Sequence, residues 1–244
     1  MIGCDCATCR SEDPRDRRLR PSIFVDVPAH AGILVDTSTD LRQQALTHHI
    51  SRIDAVVFTH SHADHILGLD DVRRFNVVSG GAIPCYADAM TWENIRRTFH
   101  YVFDKAPRQG GGIPELEPRV IDGPFTIGGV RIVPVPLLHG RLPILGFRFG
   151  TFAYLTDCSA IPDDSLPLLD GVETLVLDAL RYRPHATHFS IDQALQAIAR
   201  LSPRRSYLTH MCHDVGHAEA SARLPDGVHL AYDGLVLDVS VDVS

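Results

Sequence analysis

His60-Ser61-His62-Ala63-Asp64-His65 follows directly on the apolar run Ile53-Asp54-Ala55-Val56-Val57-Phe58-Thr59. A short run rich in β-branched residues reads as a buried strand. Beyond the polar block, Ile66, Leu67, Leu69, Val72 and Phe75 recur at helical spacing, so the block occupies a strand-to-helix loop. Three histidines and an aspartate have no packing purpose there. Neutral imidazoles and an ionised carboxylate are ligands for a divalent transition metal. His60 and His62, two apart on extended backbone, point one way, while Asp64 and His65 open the helix and face a second position.

The same pattern recurs along the chain. Val133 to Leu138 leads into His139, Phe152 to Thr156 into Asp157, and Tyr207 to Thr209 into His210. Loops at strand ends, held by a rigid sheet, are where layered folds gather functional groups. With the first block these make more ligands than one tetrahedral ion accepts, and they suit two ions bridged by a carboxylate and a water. The other histidines, His30, His48, His49, His100, His185, His217 and His229, read as ordinary surface or core residues.

The ordered set His60-x-His62-x-Asp64-His65, His139, Asp157, His210 resembles the metallo-β-lactamase fold. The resemblance implies an α+β fold, an αββα four-layer sandwich. It also implies that His60, His62 and His139 hold one metal, that Asp64, His65 and His210 hold the other, and that Asp157 bridges. Manganese, zinc or iron would each accept these ligands.

Three cysteines, Cys4, Cys6 and Cys9, fall close together, while Cys85, Cys158 and Cys212 are scattered. No export signal is read at the N-terminus, so cytoplasmic localisation is expected and the cluster reads as metal ligation before it reads as disulfides. Gly3-Cys4-Asp5-Cys6-Ala7-Thr8-Cys9 resembles the structural zinc loop of the phosphoribosyl 1,2-cyclic phosphate phosphodiesterase branch of that family. The resemblance implies His213 as fourth ligand, with Cys212 as the competitor. It also implies that His188, directly before an amphipathic helix, is a general acid or phosphate stabiliser, with His185 as the nearby rival. Relatives of this branch start with an apolar strand ahead of the cysteines, and this chain starts at Met1-Ile2-Gly3, so either that first strand is missing or the start is assigned too far downstream.

The 244 residues carry 23 Lys+Arg against 30 Asp+Glu, a net charge of -7, which argues against a nucleic-acid surface. No segment is long and apolar enough for a bilayer. The expectation is one domain, residues 1–244, with a zinc-binding loop at 1–20. Its arginine-rich end, Arg15 to Arg20, reads as a solvated loop.

Elsewhere the pattern gives a hairpin around Pro28 to Gly32 and a helix from Thr39-Asp40 to His49. It gives a strand near Cys85-Tyr86-Ala87, a helix from Met90 to Phe99 and a Gly/Pro-rich loop from Lys105 to Pro118, with Arg108 a candidate phosphate contact. Further strands are read at Gly129 to Pro136, Ile144 to Phe149, Thr151 to Thr156, Glu173 to Asp178 and Ser206 to Thr209, and a helix at Ile191 to Leu201.

The implied activity is hydrolysis of a small phosphodiester such as a phosphoribosyl 1,2-cyclic phosphate. His188 and Asp64 are the catalytic candidates, with two divalent ions in the active site and one structural zinc. Size is compatible with a homodimer. The alternatives on this scaffold are a tRNA 3'-end endonuclease, a thioester or lactone hydrolase, and a metal-binding or redox protein without hydrolytic activity.

Overall fold

The computed structural model describes residues 1–104 and 112–243. Residues 105–111, with Arg108 and most of the expected Gly/Pro-rich loop, lie outside the described residues. Chain contacts divide the molecule into two compact units: a first unit of Arg20–Ile132 with Val243, and a second of Met1–Leu19 with Val133–Asp242.

In the first unit, β1 (Ile23–Val27) and β2 (Ala31–Val35) form the expected antiparallel hairpin, and α1 (Leu41–Thr47) follows. β2 continues in parallel with β3 (Ala55–Val57), β3 with β4 (Ile83–Ala87), and β4 with β5 (Leu116–Val120). Every residue of β2 and β3 is buried, which explains why both read as continuous apolar runs rather than alternating ones. β1 and β5 are the two edges of this sheet.

Two expectations change here. β3 stops at Val57, because Thr59 turns its backbone N–H to the side chain of Asp36 instead of a neighbouring strand. β5 begins inside the stretch read as a loop ending at Pro118; a proline is tolerated there because β5 is an edge strand with a side that needs no donor.

The helix read from Ile66 to Phe75 is also broken, into α2 (Ala63–Ile66), a 3-10 turn at Leu69–Asp71 and α3 (Val72–Ser79). Gly68 sits at the break. Its N–H donates to the Thr37 carbonyl, and a Cβ there would stand 2.0 Å from the Ser38 carbonyl oxygen. α4 (Ala89–Thr98) and α5 (His100–Phe103) then cover the sheet, with Trp92 and Phe58 fully buried in a T-shaped pair in the core.

β6 (Phe125–Ile127), absent from the sequence reading, pairs with the first residues of β7 (Val130–His139), and β7 runs on into the second unit. There the strand order is β12-β11-β10-β9-β8-β7. β8 (Leu142–Phe149) is antiparallel to β7 and to β9 (Phe152–Leu155). β9, β10 (Thr174–Asp178), β11 (Arg205–Thr209) and β12 (Val228–Leu230) are mutually parallel.

α6 (Ile191–Leu201) lies where the sequence put it. Its N-terminus carries a reciprocal capping box: Gln193 N–H donates to Ser190 Oγ, and Ser190 N–H to Gln193 Oε1. Ile191, Ala194 and Ile198 enter a core built on β7 to β12. α7 (His217–Ser221) and β12 are too short to announce themselves by periodicity.

Candidate functional site

Parallel pairing gathers the polar groups. In the first unit Val35 is in register with Val57, so Asp36, just past β2, and Thr59-His60, just past β3, leave the sheet at the same edge. Asp36 is fully buried: it accepts from Thr59 N–H and Thr59 Oγ1, both at 2.8 Å, and from His65 Nδ1 at 2.7 Å. Burial pushes its pKa up, and the His65 imidazole pulls it back. The consequence for His65 is a fixed ring, with Nε2 as the nitrogen left to act as a ligand. The His60 ring stands 4.3 Å from that of His65 and 4.6 Å from that of His62, while Nε2 of His65 is 3.9 Å from Asp64. All four residues of the opening block are thus brought together.

In the second unit Leu155 is in register with Leu177, and Asp178 with Thr209, so Asp157, Asp178 and His210 emerge together from three adjacent parallel strands. His210 Nε2 is 3.3 Å from Asp157. The donor atoms of His139, Asp157 and His188 lie within 4.8 Å of one another, as do those of Asp178, His188 and His210. Burial, aided by the neighbouring His188, pushes the pKa of His139 down, so the ring is a neutral potential ligand.

His188 is buried, with its Nδ1 3.2 Å from Asp178 Oδ1, while Phe189 N–H donates to the other oxygen at 3.0 Å. Its ring is stacked on that of His210 at 4.8 Å and meets that of His139 edge-on at 4.6 Å.

The backbone marks the same places. Asp36, Asp157 and His210 all have φ near +60°, at 65°, 57° and 61°. A non-glycine residue held in the left-handed region costs on the order of 1 kcal/mol or more, and such strain collects at functional sites. Two of the three are expected ligands. The third, Asp36, was not anticipated, nor was Asp178. The usable signal for both was an aspartate directly after a fully apolar strand.

The ligand atoms of Cys4, Cys6, Cys9 and His213 all lie within 4.8 Å of one another, with Cys4 Sγ 3.2 Å and Cys6 Sγ 3.5 Å from His213 Nδ1. Cys212 turns elsewhere, its sulfur accepting from Asp214 N–H. The Cys9 N–H, then His213, lower the Cys6 thiol to about pKa 6, so it is a thiolate at neutral pH. Three cysteines and a histidine at this spacing suit zinc.

Arg18 was read as solvated and is not. Its guanidinium donates to the carbonyls of Cys212 at 3.0 Å and Val215 at 2.7 Å, and pairs with Asp16 at 3.0 Å, clamping the segment that carries His213.

The fold and its histidine and aspartate groups define a protein of the metallo-hydrolase class, with the metallo-β-lactamase fold. The chain belongs to the beta-lactamase superfamily, whose domain model matches residues 32–211.

A structure described as a new diphosphatase from the PhnP family is 43% identical, with a TM-score of 0.92, over 100% of this chain and 93% of that one. An octanoyltransferase of Porphyromonas gingivalis is 39% identical over 96% of this chain and 48% of its own length, so this chain spans about half of that relative. Zn(2+)-bound PqqB of Methylobacterium extorquens, at 19% identity and TM-score 0.74 over 98% of this chain and 95% of its own, shares the fold. Among the described residues no helix is long and apolar enough to cross a membrane.

Proposed function

We propose that the protein is a binuclear metal-dependent hydrolase that cleaves phosphoryl esters, with a small phosphodiester such as a phosphoribosyl 1,2-cyclic phosphate as substrate. His60, His62 and His139 would hold one divalent ion and Asp64, His65 and His210 the other, with Asp157 between them. The donor chemistry fits: imidazoles oriented by buried carboxylates and hydroxyls, plus two carboxylates, are ligands for manganese, zinc or iron. Divalent ions held there supply Lewis acidity toward a phosphoryl oxygen and make hydroxide available near neutral pH. Cys4, Cys6, Cys9 and His213 would hold a separate structural zinc.

The observation that carries the reading is His188. It is a buried imidazole whose Nδ1 is taken by Asp178, among groups that suit metal binding. Asp178 stabilises the protonated ring, and Nε2 delivers the proton to the leaving oxygen, a step commonly worth about 10²- to 10⁴-fold. Asp64, beside His65, would help hold the second ion.

A second substrate class, a diphosphate, is favoured by the 43% identical relative described as a diphosphatase. The octanoyltransferase relative is about twice this chain's length, so its activity is not carried to this chain.

The test is hydrolysis of bis(p-nitrophenyl) phosphate by purified protein with manganese added, comparing wild type, Asp64→Ala and His188→Ala. Turnover that falls in both variants, with metal content falling in Asp64→Ala alone, supports the reading. Turnover indifferent to His188 overturns its role, and no phosphoryl hydrolysis by metal-loaded wild type overturns the activity.

A further inference from the structure

The loop between Leu180 and His188 carries an imidazole that the reaction above leaves unused. Its neck is closed by a parallel bridge between Arg181 and Ser190, and the Arg181 guanidinium donates to the carbonyls of Arg183 at 3.2 Å and Pro184 at 3.1 Å. Inside it, Thr187 N–H donates to Nδ1 of His185 at 3.3 Å. An imidazole whose Nδ1 accepts carries its single proton on Nε2. Burial, His188 and Arg181 together lower the pKa of His185, which keeps this neutral form at pH 7.

The His185 ring stands 5.2 Å from that of His188, and among the described residues no partner takes up Nε2. The loop is seated against the turn after His139: Gly140 has φ +64°, and a Cβ there would meet Thr187 Cγ2 at 2.9 Å. The donor is therefore held in place beside the group proposed to protonate the leaving oxygen.

We propose that His185 is a specificity-determining residue whose Nε2–H binds a second oxygen of the leaving group, so that the site prefers diphosphates to diesters of uncharged alcohols. This rests on the phosphoryl-hydrolysis reading and, within it, favours the diphosphate class named second over the cyclic diester named first. His188 serves one leaving oxygen. A second fixed donor one ring away finds its strongest partner where the leaving group carries further charged acceptor oxygens, as phosphate does and an uncharged alcohol does not. The Arg181 guanidinium, near enough to lower the pKa of His185, adds positive charge to this loop. In the reaction water adds to the attacked phosphorus and releases one proton to solvent, the bond from that phosphorus to the bridging oxygen breaks, the bridging oxygen leaves with the His188 proton, and His188 regains a proton from solvent. His185 neither gives nor takes a proton.

The experiment compares wild type, His185→Ala and His185→Gln on ADP and on bis(p-nitrophenyl) phosphate, with titration of inorganic pyrophosphate binding alongside. A lost hydrogen bond to a charged oxygen predicts that Ala lowers kcat/KM on ADP about 10- to 100-fold and leaves the diester within about twofold. Gln, which keeps an N–H donor, restores most of the loss, and pyrophosphate affinity follows the same order. Equal losses on both substrates, Gln no better than Ala, or pyrophosphate affinity unchanged in Ala would overturn the proposal. If metal-loaded wild type hydrolyses neither compound, the phosphoryl-hydrolysis reading fails by itself. Pyrophosphate binding then still decides: weakening in Ala with recovery in Gln upholds the contact, and no binding or no difference removes it.

Discussion

Oδ1 of Asp178 lies 3.2 Å from Nδ1 of His188, at the end of a strand in which every residue is buried. The same oxygen is 3.7 Å from Nδ1 of His210, beyond hydrogen-bond reach, so one carboxylate holds the His188 ring and lies within charge-pair distance of the His210 ring.

Asp178→Asn keeps the shape and weakens the acceptor. Loss of such an orienting partner typically costs about 10- to 100-fold in activity or metal affinity. The expected result is a fall of that size in kcat on a phosphodiester. In a His188→Ala background the same change should cost much less, because the two residues act as a unit. Additive losses in the double mutant would show that Asp178 acts through His210 or through stability instead.

Zinc in the cysteine loop is expected at one ion per chain and should resist dialysis that removes more loosely held metals. His213→Ala or Cys6→Ser should lose it, and the Tm should fall by roughly 5–15 °C, since binding energy at a structural site is folding energy. Elemental analysis and calorimetry check both. In chelator-treated protein, Cys6 should react with iodoacetamide with a midpoint near pH 6, the thiolate persisting above that value and disappearing below it.

Gly68→Ala should destabilise the first unit although the backbone there has an ordinary negative φ. The added carbon would lie 2.0 Å from the Ser38 carbonyl and 2.9 Å from the Leu41 Cβ, so the chain must move. Overpacking of this kind costs about 1–3 kcal/mol, and denaturant unfolding would read it as a lower midpoint at unchanged slope.

Arg18→Gln removes a largely buried guanidinium from two carbonyls and a carboxylate. Hydrogen bonds from charged groups are worth about 1.5–3 kcal/mol, so the Tm should fall by roughly 3–10 °C. Zinc should also exchange faster, since the clamp holds the segment bearing His213. A variant with wild-type exchange would show that the clamp and the zinc loop are independent.

The sequence exposed those parts of the site in which chemistry interrupts hydrophobicity. His60 to His65, Asp157 and His210 stand just after apolar strands and are gathered by parallel pairing, while His139 ends a strand of the antiparallel part of its sheet. Asp36 and Asp178 escaped notice because a single aspartate ending a strand looks like any polar terminus; only their tertiary hydrogen bonds distinguish them.

Periodicity found α6 to the residue and overextended the helix after His65, since spacing cannot register a backbone contact such as the one at Gly68. β5, Leu-Glu-Pro-Arg-Val, carries almost no strand signal of its own and is defined by its pairing with β4.

Cys4 and His213 are 209 positions apart, and residues 20–132, which lie between them, belong to the other compact unit. At a synthesis rate of about 5–20 residues per second, the three thiols emerge roughly 10–40 s before the imidazole that completes their set. During that interval they are open to oxidants and to stray metals, and the nascent chain must keep them reduced until its last strands arrive. Loading of the proposed zinc would therefore be a question of timing on the ribosome as much as of affinity.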